Sequence, residues 1–285
     1  MKNLIRKYPL SSFIIITLLY SWTLWLLMIL SSRGLLPFRF PTNFLGSFGP
    51  AVGALIVTGI CDGGAGIKSI FRSMLRFKAS FKSYCQSLFL IIIVYAVTSA
   101  VSWFTNREVL TLSGLPGAGE MVAYFLIIAL LGGPLGEETG WRGFLQPRLM
   151  KKFNPVVSSL LIALIWFIWH IPLFWLEGAA QAGSSMIYFG IMVLAMSFLF
   201  TILYIESNGS LFHAMLFHTM INYVSAYILP SLLPAAESDK SFGHLSTYVI
   251  AGITLIFIWF NYRRLTIWKE NQATGGRRRA EGKVG

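Results

Sequence analysis

The stretch that decides the fold is "MVAYFLIIALLGGPLGEETGWRGFL", residues 121–145, in which an apolar run leads into two adjacent carboxylates. Its first eleven residues carry no charge, as is typical of a helix that crosses a bilayer. Burying an ionised carboxylate there costs several kcal/mol, and a second one beside it opposes the ionisation of the first. Ionisable residues inside a membrane mark functional sites by default, so Glu137 and Glu138 are the first candidate site residues.

The whole chain has the composition of a polytopic membrane protein. Of its 285 residues, 55% are hydrophobic and 12% are charged, whereas a soluble domain carries about 25% charged residues. We therefore expect an all-α, polytopic membrane helical bundle of about eight transmembrane helices. The predicted spans are 11–31, 43–61, 86–104, 121–141, 156–175, 184–204, 209–233 and 245–262.

The net charge of +12 is distributed as in a membrane protein and not as in a nucleic-acid-binding protein. With the N-terminus in the cytoplasm, 19 basic residues fall on the predicted inner segments and 4 on the outer ones. This is the asymmetry of the positive-inside rule. We expect a multi-pass protein of a bacterial plasma membrane, with both termini cytoplasmic, the lipid bilayer as its surroundings and no nucleic acid partner.

The chain divides into four predicted segments. Residues 1–119 hold the first spans and a basic stretch near 67–78, "IKSIFRSMLRFK", whose pattern predicts an amphipathic helix on the inner leaflet. An ordinary basic loop is the alternative for that stretch. Residues 120–235 carry the polar intramembrane residues, 236–264 contain the last span, and 265–285 form a basic tail predicted to be disordered.

The two adjacent carboxylates have different surroundings on a helix. Glu138 and Arg142 are four residues apart, so they share a face and can pair; alternatively, this pair only anchors the end of a span. Glu137 lies about 100° around the helix and cannot readily share Arg142. The preceding "GGPLG" suits close backbone approach and a local break in the helix. Glu137 is therefore the candidate general base.

Two histidines and an asparagine fall at a similar predicted depth. His170 lies in "LIWFIWHIPLF", and His218 lies in "LFHTMIN" with Asn222 one turn further on. Either histidine alone could simply be packed and hydrogen-bonded. At about 1.5 Å per helical residue, however, Glu137, His170 and His218 all lie roughly 14–21 Å from the predicted cytoplasmic ends. A carboxylate, two imidazoles and an amide at one level favour a shared site.

Three short motifs resemble one protease family. "EETGWR" fits the Glu-Glu-x-x-x-Arg signature of the CPBP intramembrane proteases, also called the CAAX-protease and bacteriocin-processing or Abi family. "HTMIN" fits the His-x-x-x-Asn element of that family. "WFIWH" resembles its Phe-x-x-x-His element, with Trp166 where the family usually has Phe. The resemblance covers about residues 120–235, and it implies that this segment is the protease core.

The resemblance also implies roles for individual residues. The implied catalytic residues are Glu137, His170, His218 and Asn222, and the implied supporting residues are Glu138, Arg142 and Trp166. The implied reaction is hydrolysis of a peptide bond in a membrane-associated peptide or protein. Glu137 and His170 would activate a water molecule, and His218 with Asn222 would stabilise the oxyanion.

A zinc-dependent version of the same reaction stays open. Glu137, His170 and His218 would then be zinc ligands, with water in the fourth position. We favour the version that requires no cofactor, because Asn222, one turn from His218, suits an oxyanion hole better than a metal site.

Two other classes of function are compatible with buried Glu and His residues. A transporter or proton relay would use them as an ion pathway, although no inverted repeat is visible between the two halves of the sequence. A bacteriocin self-immunity protein or a scaffold would not use them chemically.

Overall fold

The computed structural model describes residues 2–38, 44–106, 114–232 and 240–266. Within these ranges all regular secondary structure is helical and no strand is present, which confirms the predicted all-α bundle. The α-helices are α1 (Lys2–Lys7), α2 (Pro9–Ser32), α3 (Gly49–Cys61), α4 (Gly63–Met74), α5 (Phe81–Asn106), α6 (Ala118–Leu131), α7 (Pro134–Gly140), α8 (Gln146–Lys152), α9 (Pro155–His170), α10 (Met186–Glu206), α11 (Leu211–Tyr223), α12 (Leu229–Leu232) and α13 (Lys240–Thr266). Short 3-10 helices cover Phe44–Phe48 and Ile171–Trp175, and π-helical turns cover Trp141–Leu145 and Val224–Ile228.

Seven helical segments among the described residues are long and apolar enough to cross a membrane. They are Pro9–Ser32, Phe44–Cys61, Phe81–Thr105, Ala118–Lys152, Pro155–Trp175, Met186–Glu206 and Phe242–Thr266. The remaining predicted span, 209–233, is helical from Leu211 through Leu232. This segment is not among the seven, because its two histidines and Asn222 lower its mean hydropathy.

The basic stretch after the second span forms a helix, but with shifted bounds. Helix α4 begins at Gly63, four residues before the predicted start, because the chain turns directly out of α3 at Asp62. It ends at Met74 instead of continuing to residue 78. At the other end of the chain, α13 runs to Thr266, so the first two residues of the predicted tail are helical. Residues 267–285 lie outside the described residues.

A break in the fourth span carries the chain from the outside of the bundle to its interior. Helix α6 has no buried residue, whereas six of the seven residues of α7 are buried. Between them, Gly133 has a φ of 110°, a conformation that residues with a Cβ rarely adopt. Pro134 then occupies the first position of α7, where its missing N–H has no helical partner to lose. The predicted break is therefore present, and it places both carboxylates in the interior.

The first two spans pack against the segment that carries the carboxylates. Gly140 of α7 contacts Pro50 of α3 so closely that a Cβ at residue 140 would collide with its backbone. The indole N–H of Trp169 donates to Ser21 Oγ over 2.8 Å, and the Ser21 hydroxyl donates to the carbonyl of Gly46 over 2.7 Å. Helices α2 and α3 carry no motif, yet they fix the positions of α7 and α9.

Candidate active site

The four residues predicted to be catalytic come together where α7, α9 and α11 meet. Glu137, His170 and His218 are 5%, 7% and 4% exposed. Trp166 touches the other groups from α9: its ring centroid lies 5.7 Å from that of His170 and 5.8 Å from that of His218. The structure thus brings together, from three helices, the groups that the sequence placed at one depth.

Glu137 is held by an indole and not by a cation. Its Oε2 accepts a hydrogen bond of 2.7 Å from Trp166 Nε1. Its other oxygen lies beside the break in the helix: a Cβ at Gly133 would be 2.7 Å from Glu137 Oε1 and 3.7 Å from Asn222 Nδ2. One carboxylate oxygen and one side-chain amide nitrogen therefore lie close to the same point next to the backbone of Gly133.

Asn222 is anchored at that break by its amide group. Its Nδ2 donates to the carbonyl oxygen of Gly132 over 2.9 Å. A primary amide has two N–H donors, so this bond leaves a second one available. The glycine pair therefore serves two purposes, since it redirects the chain and supplies the carbonyl that orients Asn222.

Glu138 is the centre of a buried charge cluster. Its Oε1 accepts from Arg142 Nη1 over 3.0 Å and from His218 Nδ1 over 2.7 Å. The side chains of Glu138 and Arg142 are both 0% exposed. The predicted Glu138–Arg142 pair is therefore present, and the bond to His218 is an addition that the sequence did not indicate. Because a carboxylate only accepts, the Nδ1 of His218 carries a hydrogen and its Nε2 is left for another partner.

His170 is oriented by the backbone of its own helix. Its Nδ1 lies 2.8 Å from the carbonyl oxygen of Trp166. A carbonyl accepts and cannot donate, so this nitrogen carries the hydrogen and Nε2 of a neutral ring has a free lone pair. Both histidines thus have one ring nitrogen fixed by the protein and the other available.

Phe200 is a site residue that sequence reasoning missed. The Arg142 guanidinium lies 3.8 Å from the centroid of the Phe200 ring, within the range of a cation–π contact. Phe200 stands in α10, where every neighbour in the sequence is apolar or small, so no periodic pattern distinguishes it. The charges of Glu138 and Arg142 mark these residues as unusual in the sequence, whereas nothing in the sequence indicates that Phe200 contacts Arg142.

The described side chains do not assemble a metal site. Among them, no group of three His, Cys, Asp or Glu side chains is arranged to hold a metal ion. Glu137, His170 and His218 each use one of their two side-chain heteroatoms in a bond to the protein. Glu137, His170 and His218 form no such group as the structure places them, and the zinc-dependent alternative stays a prediction.

Comparison with known proteins identifies the segment that holds this cluster. Residues 119–224 match the family described as type II CAAX prenyl endopeptidase, Rce1-like. The CAAX prenyl protease 2 of Methanococcus maripaludis is 28% identical over 92 residues, which is 30% of this chain and 34% of that protein. The chain therefore spans about a third of the length of the curated relative that it matches. The family resemblance predicted from the motifs is confirmed, since residues 119–224 match a CAAX protease family model and are similar to the Methanococcus protein.

Proposed function

We propose that this chain is an intramembrane endopeptidase of the CAAX prenyl protease type. The observation that carries the proposal is that Glu137 Oε1 and Asn222 Nδ2 both lie within 4 Å of one point beside Gly133. A proton acceptor and an oxyanion donor at one point are what hydrolysis of a peptide bond requires. The name of the Methanococcus protein supports the same class of reaction.

The first step uses Glu137 as general base. Trp166 holds one of its oxygens, and the other accepts a proton from a water molecule while the water oxygen attacks the peptide carbonyl carbon. The free Nε2 of His170 accepts a hydrogen bond from the same water and orients it. A tetrahedral intermediate forms, and its negative charge resides on the former carbonyl oxygen.

The second step stabilises that oxygen and expels the amine. The second N–H of Asn222 and the Nε2–H of His218 donate to the oxyanion. His218 is cationic when it does so, because its Nδ1–H is already bonded to Glu138. This charge balances the cluster at this step: Glu137 is protonated, so the negative charges of Glu138 and the oxyanion are matched by the positive charges of Arg142 and His218. The C–N bond then breaks, and the leaving amine takes the proton from Glu137.

The direct test uses a peptide that the family name suggests. The purified chain in lipid nanodiscs is incubated with a farnesylated peptide that ends in Cys-aliphatic-aliphatic-X, and products are identified by mass spectrometry. We expect release of a C-terminal fragment. In parallel, membrane peptides of cells with and without the chain are compared. If neither the synthetic peptide nor any native peptide is cleaved, the proposal is wrong.

Replacing Asn222 by alanine tests the oxyanion step. The loss of one donor to a developing oxyanion lowers kcat by about 100- to 1000-fold, and KM should change little. The matched control is Asn261→Ala. Asn261 also donates from Nδ2 to a backbone carbonyl, that of Phe257, but both residues belong to α13 and neither is a proposed site residue. Wild-type kcat in Asn222→Ala would contradict the role of Asn222.

Removing metal tests the version of the mechanism that requires no cofactor. We expect full activity after dialysis against a strong chelator, with no stoichiometric metal found by elemental analysis. The physical reason is that Glu137, His170 and Asn222 provide a base, a water-orienting group and an oxyanion donor without a Lewis acid. Loss of activity that added zinc restores would establish the zinc-dependent version instead.

A further inference from the structure

A polar cavity lies beside the proposed catalytic cluster, and none of the four proposed catalytic residues lines it. Its volume is about 400 Å³. Its walls come from the end of α3, from α4, from the π-helical turn with α8, and from the loop at Asn208 and Gly209. These segments are on the predicted cytoplasmic side, and Arg142 separates the cavity from Glu138.

The cavity has an excess of positive charge. Its lining includes four cations, Arg76, Arg142, Arg148 and Lys151, and one carboxylate, Asp62. Asp62 pairs with Arg148, and Arg142 pairs with Glu138. Arg76 donates only to the neutral carbonyl oxygen of Asn208 among its described contacts, so Arg76 and Lys151 keep charges that no described carboxylate neutralises. Such a cavity attracts an anion.

The same cavity is lined by residues that carry hydroxyl groups and by residues with buried, unpaired polar atoms. Thr58 and Ser69 contribute hydroxyls to the wall, whereas the hydroxyl of Ser73 already donates to the carbonyl oxygen of Ile70 over 2.6 Å. Thr58 Oγ1 and the Nε and Nη2 of Arg142 have no hydrogen-bond partner among the described residues, although Thr58 and Arg142 are each only 1% exposed. Guanidinium and hydroxyl donors around a cation-rich space match the several acceptor oxygens of a phosphate group.

The surroundings of the cavity favour a lipid as the source of the phosphate. Three apolar side chains near its wall are strongly exposed: Phe71 at 49%, Leu75 at 69% and Phe77 at 50%. They flank Ser73 and Arg76 in the sequence, at the end of the basic helix α4. Exposed apolar groups beside basic residues are typical of a segment that lies at a membrane surface. We propose that this cavity binds the phosphate headgroup of an anionic phospholipid, whose chains lie along α4.

The test measures lipid retained by the purified chain. Wild type and variants are reconstituted in phosphatidylcholine nanodiscs that contain phosphatidylglycerol, transferred to detergent, and examined by native mass spectrometry. Arg76→Gln with Lys151→Gln removes the two unneutralised cations, and we expect at least about a tenfold loss of bound phosphatidylglycerol. The matched control, Lys68→Gln with Arg72→Gln, removes the same charge from α4 at positions that do not line the cavity and should retain wild-type binding.

A second variant, which changes no charge, distinguishes loss of lipid binding from misfolding of the double variant. Ser69→Phe fills part of the cavity without removing a charge, and it should reduce retention as strongly as the double variant does, with circular dichroism unchanged. If the cavity and control variants lose equal amounts of phosphatidylglycerol, the lipid is held by general attraction to a basic surface, and the proposal is wrong.

Calorimetric titration with inorganic phosphate in phosphatidylcholine nanodiscs completes the test. If the chain binds phosphate but shows no preference for phosphatidylglycerol, the proposal is also wrong. Neither readout depends on peptide cleavage, so failure of the proposed protease function leaves this test unaffected.

Discussion

Glutamine in place of Glu137 should lower kcat by about 100- to 10,000-fold and leave the chain folded. General base catalysis typically contributes 10²- to 10⁴-fold, and glutamine cannot accept the proton from water. The fold should persist because glutamine has nearly the same size as glutamate, and its carbonyl oxygen can still accept the hydrogen bond from Trp166. The measurement is the rate of cleavage of the farnesylated peptide by purified protein in nanodiscs.

The control for this variant is Glu177→Gln, which makes the same chemical change at an exposed position. It should cleave at the wild-type rate. Peptidomics of membranes that contain Glu137→Gln should in addition show accumulation of an uncleaved precursor. A Glu137→Gln protein that retains wild-type activity would remove the general base from the mechanism, whatever the other residues do.

The local part of the site could be predicted because helix geometry fixes it. Four residues along a helix place side chains on one face, so the Glu138–Arg142 pair follows from the sequence alone. The same spacing places Asn222 one turn beyond His218. The glycines before Glu137 predicted a helix break for a similar reason, since the backbone conformation at Gly133 is one that only glycine adopts readily.

The contacts between helices could not be predicted from spacing. The bond from His218 to Glu138 joins residues 80 positions apart, and the bond from Trp166 to Glu137 joins residues 29 apart. Both depend on how α7, α9 and α11 are rotated relative to one another. That rotation is set by packing, such as the contact of Gly140 with Pro50, and a uniformly apolar span gives no periodic signal of the face it turns inward.

The Glu138–Arg142 pair lies in this packed interior, so it should also affect the stability of the chain. Replacing Arg142 by methionine should destabilise the chain by about 3–5 kcal/mol, because it breaks a fully buried ion pair and leaves His218 as the remaining partner of the Glu138 carboxylate. Thermal unfolding in detergent, followed by tryptophan fluorescence, measures the loss. Arg148→Met is the matched control: its pair with Asp62 is partly exposed, at 22% and 46%, so its cost should be about 1 kcal/mol or less.

A double variant separates the structural role of this pair from its effect on catalysis. Glu138→Gln combined with Arg142→Met removes both charges, so most of the lost stability should return. Activity should not return, because His218 then lacks the carboxylate that supports its cationic form, and the oxyanion loses a charged donor. We expect kcat to stay at least about 100-fold below wild type. Recovery of both stability and kcat would show that Glu138 and Arg142 serve only to hold α7 in place, and that His218 needs neither of them.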